Sequence, residues 1–494
     1  LYMTRYYIGV DLGTSSMKLL LVDRDGNIKN KVSKEYNVYF PAPGYSEQAP
    51  EDWWSALCEG IDELLCGFDR SLVCGIGAGG QMHGLVVLDR DDKVIRPAIL
   101  WNDGRTYAQT DYLNNVIGKE KLLELTGNIA FAGFTAPKIL WMKENESEKF
   151  SEIDKIMLPK DYINYRLTGV HASDFSDASG MLLLDCKNKC WSKEMLEICG
   201  ISEEKLPKLF ESYDVIGNIL PEIAELFGLS KDVKVVAGAG DNAAAAIGTG
   251  AVSDGGCNIS LGTSGTVFMP CKNFSSAADG AIHAFCHANG EFHLMSCILS
   301  AASCNKWFCE EILGTSDYRA EEEKVSTDAL GNNHVFFLPY LMGERSPIND
   351  TNARGTLVGM RMDTTRADIY QAVLEGVAFV LKENMDIVSA AGVNITHSTL
   401  CGGGARSQLW RKILANTLNI PLEIPTTEEG PGYGGAILAM VASGEYENLS
   451  ECAKKFVKIR ETVYPDPDIA ARYEKKYQKF KKLYPALKDF FNEA

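Results

Sequence analysis

Asp11-Leu12-Gly13-Thr14-Ser15 and Ser260-Leu261-Gly262-Thr263-Ser264 are one turn written twice, about half a chain apart. Each follows an apolar, β-branched stretch, Tyr6 to Val10 and Cys257 to Ser260. Each precedes another, Met17 to Val22 and Thr266 to Met269. The reading is strand, tight turn, strand in both halves. Glycine lets such a turn bend sharply and approach a ligand closely. Successive amide N–H groups and the two hydroxyls can then donate to phosphate oxygens. Two turns in opposite halves can face each other across a cleft and grip one triphosphate. Asp11, at the end of its strand, can hold a hydrated magnesium ion, which takes few carboxylates and keeps several waters.

Outward from these turns, strands and helices alternate. Strands are expected at Val73 to Ala78, Val86 to Leu88, Ala98 to Trp101 and Val233 to Gly240, and helices at 52–66, 106–126, 299–313, 366–390, 407–417 and 433–443. This alternation implies mixed α/β sheets flanked by helices. The chain has 494 residues. One core stops growing at roughly 250–300 residues, so two domains are expected. No low-complexity linker separates the halves, which predicts a packed hinge near 240–255. We place the domains at 3–246, carrying the first phosphate turn, and 247–486, carrying the second.

The hydrophobic fraction of 46% is ordinary for a folded chain. No stretch approaches the roughly 20 apolar residues needed to span a bilayer. No basic segment followed by an apolar run stands at the start, so no secretory signal is expected. Leu1 and Tyr2 before Met3 are expected to be a cloning remnant. The 14 cysteines are scattered and form no C-x-x-C pair, which points to free thiols in a reducing cytoplasm. A net charge of −17 argues against nucleic-acid and anionic-membrane partners. It leaves nucleotides open, because local backbone groups hold phosphates.

Further clusters carry chemistry. Gly240-Asp241-Asn242 is followed by four alanines, strong helix formers, so Asp241 is expected at an N-cap. A carboxylate at a strand end in the crevice of an α/β sheet lies where ligands bind, and it could accept the proton of an attacking hydroxyl. Cys401-Gly402-Gly403-Gly404-Ala405-Arg406-Ser407 follows an apolar strand end and admits either a flat ring or a phosphate. Gln81-Met82-His83-Gly84 and Trp101-Asn102-Asp103-Gly104-Arg105 end two strands. Their mixed donors and acceptors suit a polyhydroxylated ligand, with Trp101 and Asp103 as candidate contacts.

Together these residues resemble the FGGY carbohydrate kinases, over about Tyr6 to Tyr484. One signature runs from Gly133-Phe134-Thr135-Ala136-Pro137-Lys138 to Asn145. Another runs from Gly355 through Gly359-Met360 and Asp368-Ile369 to Ala372-Val373-Leu374-Glu375. Leu158-Pro159-Lys160-Asp161-Tyr162, Ser176-Asp177-Ala178-Ser179-Gly180 and Gly343-Glu344-Arg345 are similar to the branch that acts on D-xylulose. The resemblance implies two actin-like, ribonuclease H-like domains flanking a deep catalytic cleft. It implies ATP and Mg2+ as cofactors and phosphorylation of D-xylulose to D-xylulose 5-phosphate. It implies Asp241 as base, Asp11 at the metal and reacting phosphate, and Met82, His83, Asp241 and Asn242 on the sugar. It implies ATP contacts at Thr14, Ser15, Lys18, Gly262, Thr263, Gly403, Gly404 and Ser407. Family members are often homodimers.

Two departures fall on the adenosine side. Gly430-Pro431-Gly432-Tyr433-Gly434-Gly435 replaces an Ala-Leu-Gly-Ala run, and Lys18 stands where glycerol kinases carry arginine. Relatives acting on gluconate, ribulose, fuculose or rhamnulose share the scaffold and are the nearest alternative. An actin/Hsp70-type ATPase would share the phosphate turns but would not need Gln81 to His83. A dead sugar sensor would be expected to lose Asp11 or Asp241, and both are present.

Overall fold

The computed structural model describes residues 4–253 and 255–493. Met3, the expected domain start, and Asp254, inside the expected hinge, lie outside the described residues. The first turn joins strands β1 (Tyr6–Leu12) and β2 (Ser16–Asp23), which pair antiparallel. β3 (Ile28–Glu35) follows on the far side of β2, and β4 (Val73–Gly80) lies parallel to β1. β5 (Val215–Asn218) and β6 (Lys234–Val236) complete the order β5-β6-β4-β1-β2-β3, with β7 (Ala239–Gly240) pairing beside the end of β4. The single strand expected over 233–240 is therefore broken. Gly238 takes a positive φ there, and a Cβ would meet the Ala78 carbonyl at 2.2 Å.

The second half repeats the motif. β8 (Gly255–Leu261) and β9 (Gly265–Cys271) pair antiparallel around the second turn, and β12 (Ile395–Cys401) runs parallel to β8. With β10 (His283–Cys286), β11 (Phe292–Ile298), β13 (Leu422–Pro425) and β14 (Ile459–Val463), the order is β10-β11-β9-β8-β12-β13-β14. In both sheets the strand carrying the turn is flanked by its hairpin partner and by a parallel strand. Each parallel strand ends in glycines, at Gly79-Gly80 and at Gly402-Gly403-Gly404. Each sheet has its own buried aliphatic core.

Two helices join the halves. α4 (Asp241–Thr249) follows β7, and α7 (Gly430–Ala442) starts three residues earlier than expected because Pro431 suits the first helical turn. The glycines of 430–435 were expected on the adenosine side. The structure corrects this: they form the face of α7 that packs on the first sheet and on α4. A Cβ on Gly9 would stand 1.9 Å from the Gly432 oxygen, and one on Gly77 2.1 Å from the Gly435 oxygen. A Cβ on Gly434 would stand 1.9 Å from the Ala244 oxygen. The region expected to be a hinge contains a glycine-to-backbone contact between α4, α7 and two strands, and the boundary expected at 246/247 falls within α4.

Other expected helices appear with adjusted ends. α1 (Pro50–Leu64) replaces 52–66, α5 (Arg366–Ala390) matches 366–390, and α6 (Gln408–Leu418) replaces 407–417. The stretches 106–126 and 299–313 each contain a π-helical segment, Tyr112–Gly118 and Phe308–Ile312. No helix among the described residues is long and apolar enough to cross a membrane. Among the described residues no cysteine is joined in a disulfide.

Candidate active site

The two turns are built alike. In the first, the Gly13 carbonyl accepts from Tyr36 Oη at 2.6 Å and the Thr14 carbonyl from Gln48 Nε2 at 2.6 Å. In the second, the Gly262 carbonyl accepts the Ala302 amide at 2.8 Å, and the Thr263 carbonyl accepts Ser303 Oγ at 2.7 Å. The amides of Thr14, Ser15, Thr263 and Ser264 donate to no described group. A turn whose carbonyls are engaged, with the amides past its first glycine left without a described partner, presents positive dipole ends, which is what a phosphate needs. Gly262, Thr263, Ser303, Gly403, Gly404 and Ser407 line a cavity of about 1210 Å³ in the second half. Ser407 also caps α6 by accepting the Trp410 amide at 2.9 Å.

Asp11 and Lys18 are opposed in the β1–β2 register, so their side chains share a face. Burial raises the Asp11 carboxyl to about 6, against the pull of the Lys18 ammonium. No described residue donates a hydrogen bond to this carboxylate. Among described residues, no group of three His, Cys, Asp or Glu side chains could cage a metal. That pattern fits an ion carried in with a nucleotide and held through water, the usual manner of magnesium.

Asp241 was expected to cap α4. Instead it is the first helical residue, and Gly240 holds the cap position without any side-chain bond. One carboxylate oxygen, Oδ1, accepts the Asn242 amide at 2.7 Å and Asn242 Nδ2 at 2.9 Å. Oδ2 has no described partner. Burial, then the nearby Asp11 charge, raises this carboxyl to about 7. β1 and β7 both flank β4, at Leu12 to Gly80 and Gly240 to Gly80, and this register brings the two carboxylates to one sheet edge.

The loop around His83 is held tightly. His83 has a positive φ of 70°, rare for a non-glycine residue. Thr135 Oγ1 and Lys138 Nζ, both in the first signature, donate to its carbonyl at 3.0 and 2.9 Å. The ring stacks on Phe134 with centroids 4.7 Å apart. His83 Nδ1 lies 2.8 Å from the Gly180 oxygen. A carbonyl only accepts, so Nδ1 carries the proton and Nε2 is left as an acceptor. Burial, then the Lys138 charge, pushes His83 down to about 3, so the ring is neutral. Met82 reaches Asn242, with Sδ 4.0 Å from Nδ2.

Trp101 is 44% exposed and donates Nε1 to Thr14 Oγ1 at 2.9 Å, tying its loop to the first turn. Asp103 does not join it. Its side chain is fully buried, paired with Arg105 at 2.7 Å and accepting the Ser46 amide at 2.6 Å. The expectation of a sugar contact there is corrected: Asp103 braces the loop from behind.

Profiles of the FGGY family of carbohydrate kinases match residues 6–248 with its N-terminal domain and residues 257–443 with its C-terminal domain. The chain belongs to the FGGY family of carbohydrate kinases. This FGGY kinase is 40% identical over 485 residues to the xylulose kinase of Escherichia coli (strain K12), covering 97% of this chain and 99% of that one. A crystal structure from Brucella ovis, described as a xyloylose kinase, superposes with a TM-score of 0.94 at 38% identity, over 98% of this chain and 100% of that one. A gluconate kinase from Lactobacillus acidophilus also superposes with a TM-score of 0.94, at 27% identity over 99% and 100%. The backbone therefore carries the family chemistry and does not by itself select the sugar.

Sequence reasoning missed three features of the FGGY site: the braces on the turn carbonyls, the Trp101–Thr14 bond, and a buried lysine with three aspartates beneath Asp241. The Leu158-Pro159-Lys160-Asp161-Tyr162 and Ser176-Asp177 motifs were the available signal for the last.

Proposed function

We propose that this kinase transfers the γ-phosphoryl group of ATP to the C5 hydroxyl of D-xylulose, giving D-xylulose 5-phosphate and ADP. One observation carries the reading: the chain holds two like-built turns with unpartnered amides, and the strand leading into the first ends beside Asp241, at the sheet edge that also bears Asp11. The identity of about 40% to xylulose kinases supports the ketopentose over a sugar acid. The domains 3–246 and 247–486 each bring one turn.

The roles follow from chemistry. Asp241 Oδ2 accepts the proton of the C5 hydroxyl as the O5–Pγ bond forms and the bond from Pγ to the β,γ-bridging oxygen breaks. A carboxyl raised to about 7 is matched to this task near neutral pH. Asn242, by holding Oδ1, turns Oδ2 toward the acceptor. Met82, Trp101 and the Nε2 of neutral His83 position the sugar. The amides of Thr14, Ser15 and Thr263 and the Lys18 ammonium hold phosphate oxygens, with Gly262, Gly403, Gly404 and Ser407 along the rest of the nucleotide. Asp11 would hold a hydrated magnesium, whose charge neutralises the phosphates. Alignment and neutralisation supply most of the rate in such transfers.

An ADP-release assay over pentuloses, hexuloses and sugar acids tests the reading. D-xylulose should give the highest kcat/KM. A higher value for gluconate would overturn the sugar assignment and leave the family chemistry standing.

A further inference from the structure

Beneath Asp241 lies a fully buried polar cluster. Lys160 Nζ donates to Asp161 Oδ1 at 2.7 Å and to the Ala237 carbonyl at 3.2 Å. It stands 3.0 Å from Asp174 Oδ1, an ion pair rather than an aligned hydrogen bond, and 3.6 Å from Asp177 Oδ2. The side chains of all four have no exposed surface. Burial so near other carboxylates pushes Asp177 well above the usual carboxylate range. A buried ion pair is weak evidence for stability, because desolvation consumes most of its attraction. The position of the group therefore asks for another reason.

The reason lies in the second oxygen of Asp174. Oδ2 accepts from Ser176 N at 2.8 Å, from Ser176 Oγ, and from Ser212 Oγ at 2.8 Å. Because the Ser176 O–H points at Asp174, its lone pairs are free to face the other way. One of them accepts the Gly240 amide at 3.2 Å. Gly240 immediately precedes Asp241 and caps α4 with no side chain of its own. A Cβ on Gly240 would stand 2.9 Å from Met82 Sδ, so this peptide is wedged between the buried cluster and the sugar loop. The first amide before the helix is thus fixed from below by one hydroxyl.

We propose that Ser176, oriented by Asp174 and the Lys160 ammonium, is a positioning residue that sets where Asp241 stands relative to the sugar hydroxyl. The inference rests on Asp241 being the base. Lys160 lies against one oxygen of Asp174, the other oxygen fixes the direction of the Ser176 hydroxyl, and Ser176 fixes the Gly240–Asp241 peptide. Misplacement by a fraction of an ångström affects a near-attack geometry more than it affects binding.

The test compares Ser176→Ala with Ser212→Ala and Ser176→Thr in the full chain. Ser212→Ala removes a hydroxyl from the same carboxylate without touching Gly240, and Ser176→Thr keeps the hydroxyl. The expected result is a kcat for D-xylulose lowered about three- to tenfold in Ser176→Ala, the effect of one hydrogen bond. KM for ATP should be unchanged, and the other two variants should stay near wild type. A folded Ser176→Ala with lower Tm but wild-type kcat overturns the proposal, as does an equal kcat loss in Ser212→Ala. If Ser176→Ala does not fold, Ser176→Cys, with similar volume and a weaker acceptor, is read by the same split. Asp241→Asn run alongside separates the two readings: an inactive Asp241→Asn with a normal Ser176→Ala removes only the positioning role, whereas an active Asp241→Asn removes the base assignment.

Discussion

Trp101 Nε1 donates to Thr14 Oγ1 across 2.9 Å, although the two residues stand 87 positions apart. The bond joins the Trp101 loop to the first turn. Trp101→Phe keeps the aromatic wall and removes the donor. One such bond is worth about 0.5–1.5 kcal/mol. Steady-state kinetics should show kcat/KM for the sugar reduced by about two- to tenfold. Tm should stay the same, since the ring is half exposed.

Asp241→Asn keeps the shape of the side chain and removes the proton acceptor. kcat should fall by roughly 10²–10⁴. In the wild-type enzyme, kcat should decline as pH drops through about 7, where Asp241 protonates.

The same shift has a consequence for stability. Its folded pKa is raised above that of an unfolded aspartate, so the folded state binds the extra proton between about 4 and 7. Stability from this group is full below that window and is lost as pH rises through it. Asp241→Asn should therefore raise Tm more at pH 8 than at pH 5. Thermal melts with the opposite ordering would contradict a carboxyl raised by burial.

Asp11→Ala should weaken magnesium-dependent turnover more than sugar binding, because no described residue donates to the carboxylate, which stands near the end of the strand leading into the first turn. Activity titrated against magnesium should show a higher half-saturating concentration. An unchanged curve with intact kcat would remove Asp11 from the metal.

His83→Ala should raise KM for the sugar and leave KM for ATP unchanged, since His83 contacts neither turn. The sugar effect should be about two- to tenfold. A selective change in KM for ATP would reverse the placement of this loop.

Gly434→Ala places a methyl 1.9 Å from the Ala244 carbonyl, in the contact between α4 and α7. Overpacking of this kind costs about 1–3 kcal/mol, read as a lower Tm. Closure of the two halves on sugar should also suffer. Small-angle scattering should show the wild-type radius of gyration falling with D-xylulose, and less so in the variant. Coupling is reciprocal at equilibrium, so an ATP analogue should tighten sugar binding by the factor by which sugar tightens the analogue.

Sequence alone determined the duplicated strand–turn–strand, because backbone chemistry is local: glycine, hydroxyls and β-branched flanks specify that unit wherever it occurs. It likewise marked Asp11, Asp241 and the His83 loop, which stand at strand ends where α/β sheets present ligands. Tertiary structure decided the rest. Asp103 and Asp241 are both aspartates beside glycines, yet one is sealed against Arg105 and the other keeps a free oxygen; burial is set by what packs on a residue from elsewhere. The glycines of 430–435 read as a loop near adenosine until β1, β4 and α4 are laid against them, since their reason is the backbone of residues some 190 to 420 positions away. Lys160, Asp174, Ser176 and Gly240 span 80 positions and meet only when β7 closes beside β4. Hydrogen bonds of that reach leave no periodicity in a chain, so only the folded protein could bring them together.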